Sequence, residues 1–470
     1  MNIGKSFIWR ILQQYSVYVV KLLVQIVLAR LLSPAEFGLI AIVMVFTSIA
    51  EIIAVSGLGT ALVQKYKPDE RDYSTVLSFS ILLALFVYII IFLFSPLIAN
   101  FYDNSDLVLV LRVYSIVIFF QAYISVLNAY VQKNFLFKRC FWGNLVAVLI
   151  AGAISIIVAY KGLGIWSLVI YSNLSAFASI VFIQLFICWH PRIGFDFFRF
   201  KPLFSFSWKV LFSSLVGSLL ENIYNLAIGK YYGDTILGYY KQGNTYPDAI
   251  LGQTRTAFSS VMLPVYSSLQ NDRKKLADSI YRMTHIVTAV IFPMALGLIA
   301  IANTFVSIIL TEKWLAAVFF LRLECVFYGT LPITASINNG LISIGRSDIS
   351  AKIEVSKLFA SIICIILFHS FGVRIVCVAR VIIAVLFIFV SAVIAHKILG
   401  LSLVFVIRSI WKPLVFSIIM SLCVYGVSFL KQNLLIVLLS ELIVGVSVYG
   451  LLCLLFMRED LKYITDVFKK

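Results

Sequence analysis

Apolar runs long enough to cross a bilayer recur along the whole chain, separated by short polar breaks. They predict fourteen membrane-spanning helices, near 7–31, 38–62, 73–101, 107–132, 140–160, 164–188, 204–230, 237–265, 283–310, 316–343, 350–370, 375–395, 412–430 and 434–457. Two stretches, 73–102 and 162–191, contain no Asp, Glu, Lys or Arg at all. An even number of spans puts both chain ends on the same side of the membrane. The breaks between spans are short, so no extramembrane domain is expected. Pro247, Pro264, Pro293 and Pro332 fall inside spans and predict kinks or breaks there.

Three spans interrupt this apolar pattern. Span 8 carries Lys241, Asn244, Asp248 and Arg255. At 100° per residue these four fall within about 60° of one another, which makes a single polar stripe. A charge at the centre of a lipid-facing helix costs roughly 2.5–3.5 kcal/mol, so this stripe must face protein or water. Ionisable residues in such a place are candidate functional residues, although an ion-pair seam between helices is the simpler reading. Span 1 has a similar stripe in Arg10, Gln14, Lys21 and Gln25, and span 7 has one in Ser214, Ser218, Glu221 and Asn225. Glu51 in span 2 reads either as a partner of Lys21 or as a coupling group. Arg112, Arg322 and Arg380 each stand alone in an apolar span and read as helix-packing or snorkelling residues. His285 and His369 are isolated near span ends.

Charge then orients the chain. Loops on one side carry clusters of bases: Lys65, Lys67 and Arg71; Lys133, Lys138 and Arg139; Arg192, Arg199 and Lys201; Arg273, Lys274 and Lys275. Loops on the other side hold only Lys161, Lys230, Lys313, Arg374 and Lys431. The excess of bases marks the cytoplasmic face and places both termini there. The net charge of +17 therefore reads as membrane orientation, not nucleic-acid binding, because no soluble basic tract interleaved with aromatics accompanies it. The seven cysteines are scattered without metal-ligand or disulfide spacing, so no metal or cofactor is expected. The first apolar segment contains Arg10 and Lys21 and reads as a retained helix, not a cleaved signal.

An internal repeat organises the spans. Ser6-Phe7-Ile8-Trp9-Arg10-Ile11-Leu12 opens span 1, and Ser205-Phe206-Ser207-Trp208-Lys209-Val210-Leu211 opens span 7. Further along, Arg30 matches Lys230, and Phe37-Gly38 matches Leu237-Gly238. Six spans separate the copies, so they share one orientation, as in transporters whose halves are parallel repeats about the membrane normal. The predicted fold is an all-α integral membrane protein of about fourteen transmembrane helices. It comprises two six-helix lobes, 1–200 and 201–400, related by a parallel pseudo-twofold, and a C-terminal helix pair with a cytoplasmic tail, 401–470. The stripes of spans 1, 7 and 8 would then line a mostly basic cavity. Arg10, Lys21, Arg30, Lys209, Lys230, Lys241, Asn244 and Arg255 are its candidate binding residues. Glu51, Glu221 and Asp248 are candidate coupling or charge-balancing groups. Such bases suit phosphate or carboxylate, and the neighbouring amides and hydroxyls suit sugars.

A family resemblance agrees with this reading. Leu28-Ala29-Arg30-Leu31-Leu32-Ser33-Pro34-Ala35-Glu36-Phe37-Gly38 resembles the segment after span 1 of bacterial Wzx-type polysaccharide flippases, especially the WzxC-like colanic-acid exporter branch. Ser56-Gly57-Leu58-Gly59-Thr60-Ala61-Leu62-Val63-Gln64-Lys65 resembles the end of their span 2. Leu237-Gly238-Tyr239-Tyr240 and Leu263-Pro264-Val265-Tyr266-Ser267 resemble their span 8, and Lys313-Trp314 and Gly345-Arg346 the flanks of span 10. The order of these matches, more than any one of them, makes the likeness specific. The resemblance implies a V-shaped transporter of the MOP superfamily in the bacterial inner membrane. It implies a flippase, not an enzyme, acting on an undecaprenyl-diphosphate-linked oligosaccharide for O-antigen, capsule or exopolysaccharide synthesis. It also implies membrane lipid as a partner, together with glycan polymerase and chain-length regulator proteins. Only Arg30 is carried over by motif; the other candidates rest on the stripes. Spans 13 and 14 depart from the twelve-span pattern of many relatives. The competing readings are a multidrug or small-molecule antiporter of the same superfamily, and a polymerase or ligase acting on lipid-linked glycan.

Overall fold

In a computed structural model, residues 3–402, 404–429 and 433–457 are described. Among them every regular element is a helix. The order is α1 (Ile3–Leu31), α2 (Pro34–Val55), α3 (Leu58–Gln64), α4 (Glu70–Phe101), α5 (Asp106–Tyr114), α6 (Val117–Lys133), α7 (Phe137–Tyr160) and α8 (Trp166–Ile187). There follow α9 (Phe197–Pro247), α10 (Gln253–Ser268), α11 (Arg273–Ile309), α12 (Ala317–Ser343), α13 (Ser347–Phe368), α14 (Val373–Leu399), α15 (Phe405–Val427) and α16 (Leu434–Phe456). Predicted span 2 is thus α2 and α3, broken where Ser56 and Gly57 both take left-handed backbone angles. Span 4 is α5 and α6, and span 8 is the end of α9 followed by α10. By composition and length, eleven of the described helical segments are able to cross a membrane, one of them running from Val210 through spans 7 and 8 to Ser268.

Helix starts follow their local chemistry. Ser33 caps α2 in a capping box: its own N–H donates to Glu36 Oε2 at 2.7 Å, and Glu36 N–H donates back to Ser33 Oγ at 3.4 Å. Pro34 fills the first helical position, where a missing N–H costs nothing. Asp69 and Asp72 form the same kind of box at the start of α4.

The chain divides into two compact units, one through Gly238 and the other from Tyr239 onward. In the first, α7 packs along α8 and α1. Gly143 lets α7 approach the Ile183 backbone, and Gly152 accepts Val24 of α1, the small-residue packing that substitutes for a hydrophobic driving force in lipid. One end of this unit is tied by ion pairs. Arg199 meets Asp69 at 2.6 Å and the buried Asp72 at 3.3 Å, while Lys65 meets Asp72 at 2.6 Å. These bonds hold the α8–α9 connection to the start of α4. In the second unit, α15 lies along α11, and α16 packs on both. Thr304 of α11 donates to Glu441 of α16 at 3.3 Å.

The α9 helix is interrupted at Gly233, whose φ of 80° and ψ of 173° are far from helical. Residue 233 stands at the repeat position of Ser33, the cap between α1 and α2. Lys230 and Asp234 therefore occupy the places of Arg30 and Pro34 on either side of a turn. A second irregularity follows Pro247, where Asp248–Gly252 form a single π-helical turn. Proline removes a donor from the helical ladder, and a π-turn re-registers the residues beyond it.

Candidate functional site

Within the second unit, four helical segments bring ionisable side chains together inside an apolar bundle. The end of α9 and the π-turn supply Tyr240, Asn244 and Asp248, and α10 supplies Arg255. From α12 come Glu324, Phe327 and Tyr328, which share one face by their three- and four-residue spacing. Glu354 and Lys357 lie on α13 and Arg380 on α14. The Arg380 guanidinium pairs with the Glu324 carboxylate and donates to the Tyr240 hydroxyl. It also lies 4.0 Å from the centre of the Phe327 ring, a cation–π contact. Side-chain exposure is 11% for Arg380 and 3% for Glu324, so the pair is removed from solvent.

Around this pair the network continues. Tyr328 donates its hydroxyl proton to Asp248 Oδ1 at 3.0 Å. Asn338 donates to Glu354 Oε1 at 3.2 Å. Lys357 lies 5.7 Å from the Phe327 ring and within electrostatic reach of Glu354, Arg380 and Arg255. Three bases thus stand among three carboxylates. The Arg255 Nε, the Asn244 Oδ1 and both amide atoms of Gln242 are buried without a hydrogen-bond partner. Buried polar atoms of native proteins are rarely left so, which marks this cluster as a place where polar ligand groups would be accommodated.

A smaller polar group lies in the first unit. Lys21 of α1 and Glu51 of α2 attract one another electrostatically, as their sequence pairing predicts. Glu51 also acts on Tyr114, which is hydrogen-bonded to Ser172 of α8. Asn173 of α8 donates to the carbonyl of Val169 at 3.1 Å.

The remaining candidates are distributed as follows. Lys230 donates to the Phe101 carbonyl, pairs with Asp103 at 3.1 Å and lies 4.8 Å from the Phe101 ring, so it braces the end of α4. Arg30 is exposed in the last turn of α1. Glu221 is exposed on α9, and Lys241 is half-buried there, its carbonyl accepting from Thr245 at 2.9 Å. The side chains of Arg10 and Lys209 lie outside the described residues.

One sequence expectation is corrected. Arg380 is not a lone packing residue; its charge is matched by Glu324, fifty-six positions away. Arg112 and Arg322 do pack helices: Arg112 donates to Ser95 Oγ at 2.9 Å and covers the Phe92 ring, and Arg322 donates to the Ile299 carbonyl at 3.3 Å. Sequence reasoning missed Glu324, Glu354 and Lys357. A signal for Glu324 was available, since a carboxylate within an apolar span demands a partner.

Comparison with known proteins agrees with this architecture. Teichuronic acid biosynthesis protein TuaB of Bacillus subtilis (strain 168) is 25% identical over 424 residues, covering 87% of this chain and 86% of that protein. Succinoglycan biosynthesis transport protein ExoT of Rhizobium meliloti (strain 1021) is 23% identical over 348 residues, or 74% of this chain and 70% of that protein. Among solved structures, the lipid II flippase MurJ in its inward closed conformation superposes with a TM-score of 0.75 at 17% identity, covering 96% of this chain and 99% of MurJ. An inward-facing MATE family transporter of the MOP superfamily gives 0.63 at 15% identity, covering 83% and 98%. The fold is therefore that of the MOP transporters. The model of the polysaccharide biosynthesis protein family matches residues 27–319, more than half of the sequence, and the chain belongs to that family.

Proposed function

We propose that the protein is a flippase that moves an undecaprenyl-diphosphate-linked oligosaccharide across the bacterial inner membrane. The observation that carries this reading is the charged cluster of Arg255, Lys357 and Arg380 inside an apolar helical bundle. Such charges are costly in lipid and are retained where a polar cargo passes. A diphosphate suits arginine forks, and sugar hydroxyls suit the amides of Gln242 and Asn244. Family membership supports glycan synthesis, and the printed role of ExoT supports transport. The same reading takes 1–200 and 201–400 as repeated lobes with 401–470 as an added pair, and Lys21 with Glu51 as the polar group of the first lobe. Partners would be the lipid-linked glycan and the polymerase and chain-length regulator that act after it. A polymerase or ligase is disfavoured because the connections between the described helices are short and none provides a catalytic platform. A multidrug antiporter is disfavoured because bases match the carboxylates of the cluster in number.

The test is removal of the protein from a bacterium that makes the corresponding glycan. Lipid-linked oligosaccharide is expected to accumulate in the cytoplasmic leaflet, and its reappearance outside should require re-expression. Undiminished export without accumulation would overturn the reading.

Orientation follows from the loop charges. Reporter fusions after residue 103 should read as periplasmic and fusions after residue 470 as cytoplasmic. The opposite pattern would invert every loop.

Asp248 separates coupling from charge balance. It accepts from Tyr328 beside Arg255 on the adjoining turn, so it is read as a charge-balancing group. In liposomes with an imposed proton gradient, Asp248→Asn is expected to lower substrate affinity about 10-fold while leaving the gradient dependence unchanged, since one hydrogen bond to a charged group is worth roughly 1.5–3 kcal/mol. Loss of the gradient response with affinity intact would make it the proton site instead.

A further inference from the structure

Two glycines at matching repeat positions face each other's helices. A Cβ placed on Gly38 of α2 would overlap the carbonyl oxygen of Asp234, and a Cβ on Gly238 of α9 would overlap the carbonyl oxygen of Pro34. Pro34 and Asp234 are themselves equivalent in the repeat, so the contact is reciprocal: each first turn presses its carbonyl onto the other's glycine. Neither glycine has a positive φ, so backbone conformation does not require glycine at either position. Glycine weakens a helix relative to alanine, and here the two glycines allow close approach instead. Both positions are buried.

The ties around this crossing are polar and few. Asn104 donates to Asp234 Oδ2 at 2.6 Å, Lys230 pairs with Asp103, and the Tyr102 hydroxyl donates to the Leu226 carbonyl at 3.4 Å. Glycine surfaces contribute no interlocking side chains, so the two first turns meet flush and have little to disengage when they part.

We infer that Gly38 and Gly238 form a reversible closure at this end of the bundle, with Asn104–Asp234 as its latch. Closed, the two first turns meet backbone to backbone; open, they separate and expose the helix faces behind them. This inference rests on the transport reading, which requires access to alternate between the two ends.

The experiment uses the full-length chain with its seven cysteines replaced and a reporter cysteine at Asn225. That residue is 6% exposed and lies about two turns before the Gly233 break. Intact cells are treated with a membrane-impermeant maleimide. Gly38→Ala and Gly238→Ala are each expected to raise the labelling rate about 10-fold, and the double variant no further, because both disturb one contact. Gly217→Ala, where a Cβ meets nothing within 4 Å, is the control and should leave labelling unchanged. Unchanged labelling in both glycine variants, with protein present in the membrane, would overturn the inference. Should both variants fail to accumulate, Asn104→Ala decides the matter, since it loosens the latch without a clash. Faster labelling then supports the closure, and an unchanged rate overturns it. The assay needs no glycan, so altered labelling alongside normal glycan export after gene removal would keep the closure and discard the flippase.

Discussion

Arg380→Met is expected to lower the thermal stability of the purified protein sharply and to abolish transport, while Arg380→Met combined with Glu324→Leu restores stability but not transport. The single change leaves the Glu324 carboxylate buried without its partner. Breaking a buried pair in this way costs about 3–5 kcal/mol. Replacing both members by apolar residues of similar size removes the charge along with its desolvation penalty, which is often neutral or stabilising. The two readouts separate two roles. If Arg380 only fastens α14 to α12, transport returns with stability in the double variant. If it also meets the anionic cargo, transport stays lost in a well-folded protein. Melting of the detergent-purified variants and flipping in liposomes supply the two measurements. Recovery of both would reduce the pair to a structural tie.

Arg255→Ala is expected to reduce transport by about 10- to 100-fold with the protein folded and inserted, because a charge-assisted hydrogen bond is worth roughly 1.5–3 kcal/mol. Its Nε is buried without a protein partner, so truncation removes no internal hydrogen bond at that atom. Arg255→Lys should be milder if charge alone matters and equally severe if the planar fork grips the phosphate at two points. Lys241→Ala, on the half-buried face of α9, should act in the same direction. Wild-type transport in Arg255→Ala would make the polar stripe a packing seam.

Hydropathy alone located the helices, because fourteen apolar runs in a bilayer leave few other ways to satisfy the backbone. What it did not resolve was continuity. Spans 7 and 8 run on as one helix but for the single residue Gly233, and spans 2 and 4 are each two helices. Such breaks are decided by one or two dihedral pairs, which leave almost no trace in an apolar pattern. The charged cluster was half legible. Asp248 and Arg255 stood out as polar residues on one span, since helical spacing is a local property. Arg380 and Glu324 did not, because each appears alone in its span and only folding brings α12 to α14. Lys230 shows the reverse problem. Its place in a repeated motif drew attention to cargo binding, yet its contacts are with Phe101 and Asp103, on a connection far away in sequence.

The π-turn at Asp248–Gly252 has a consequence for how this protein tolerates change. A π-turn holds one residue more than the α-helical turn it replaces. Deleting any one residue there would let the segment revert to an unbroken α-helix and swing Arg255, with everything after it on α10, by about 100°. A deletion that spares every charged residue would then be more damaging than many substitutions of them. In this stretch the number of residues is itself part of the specification.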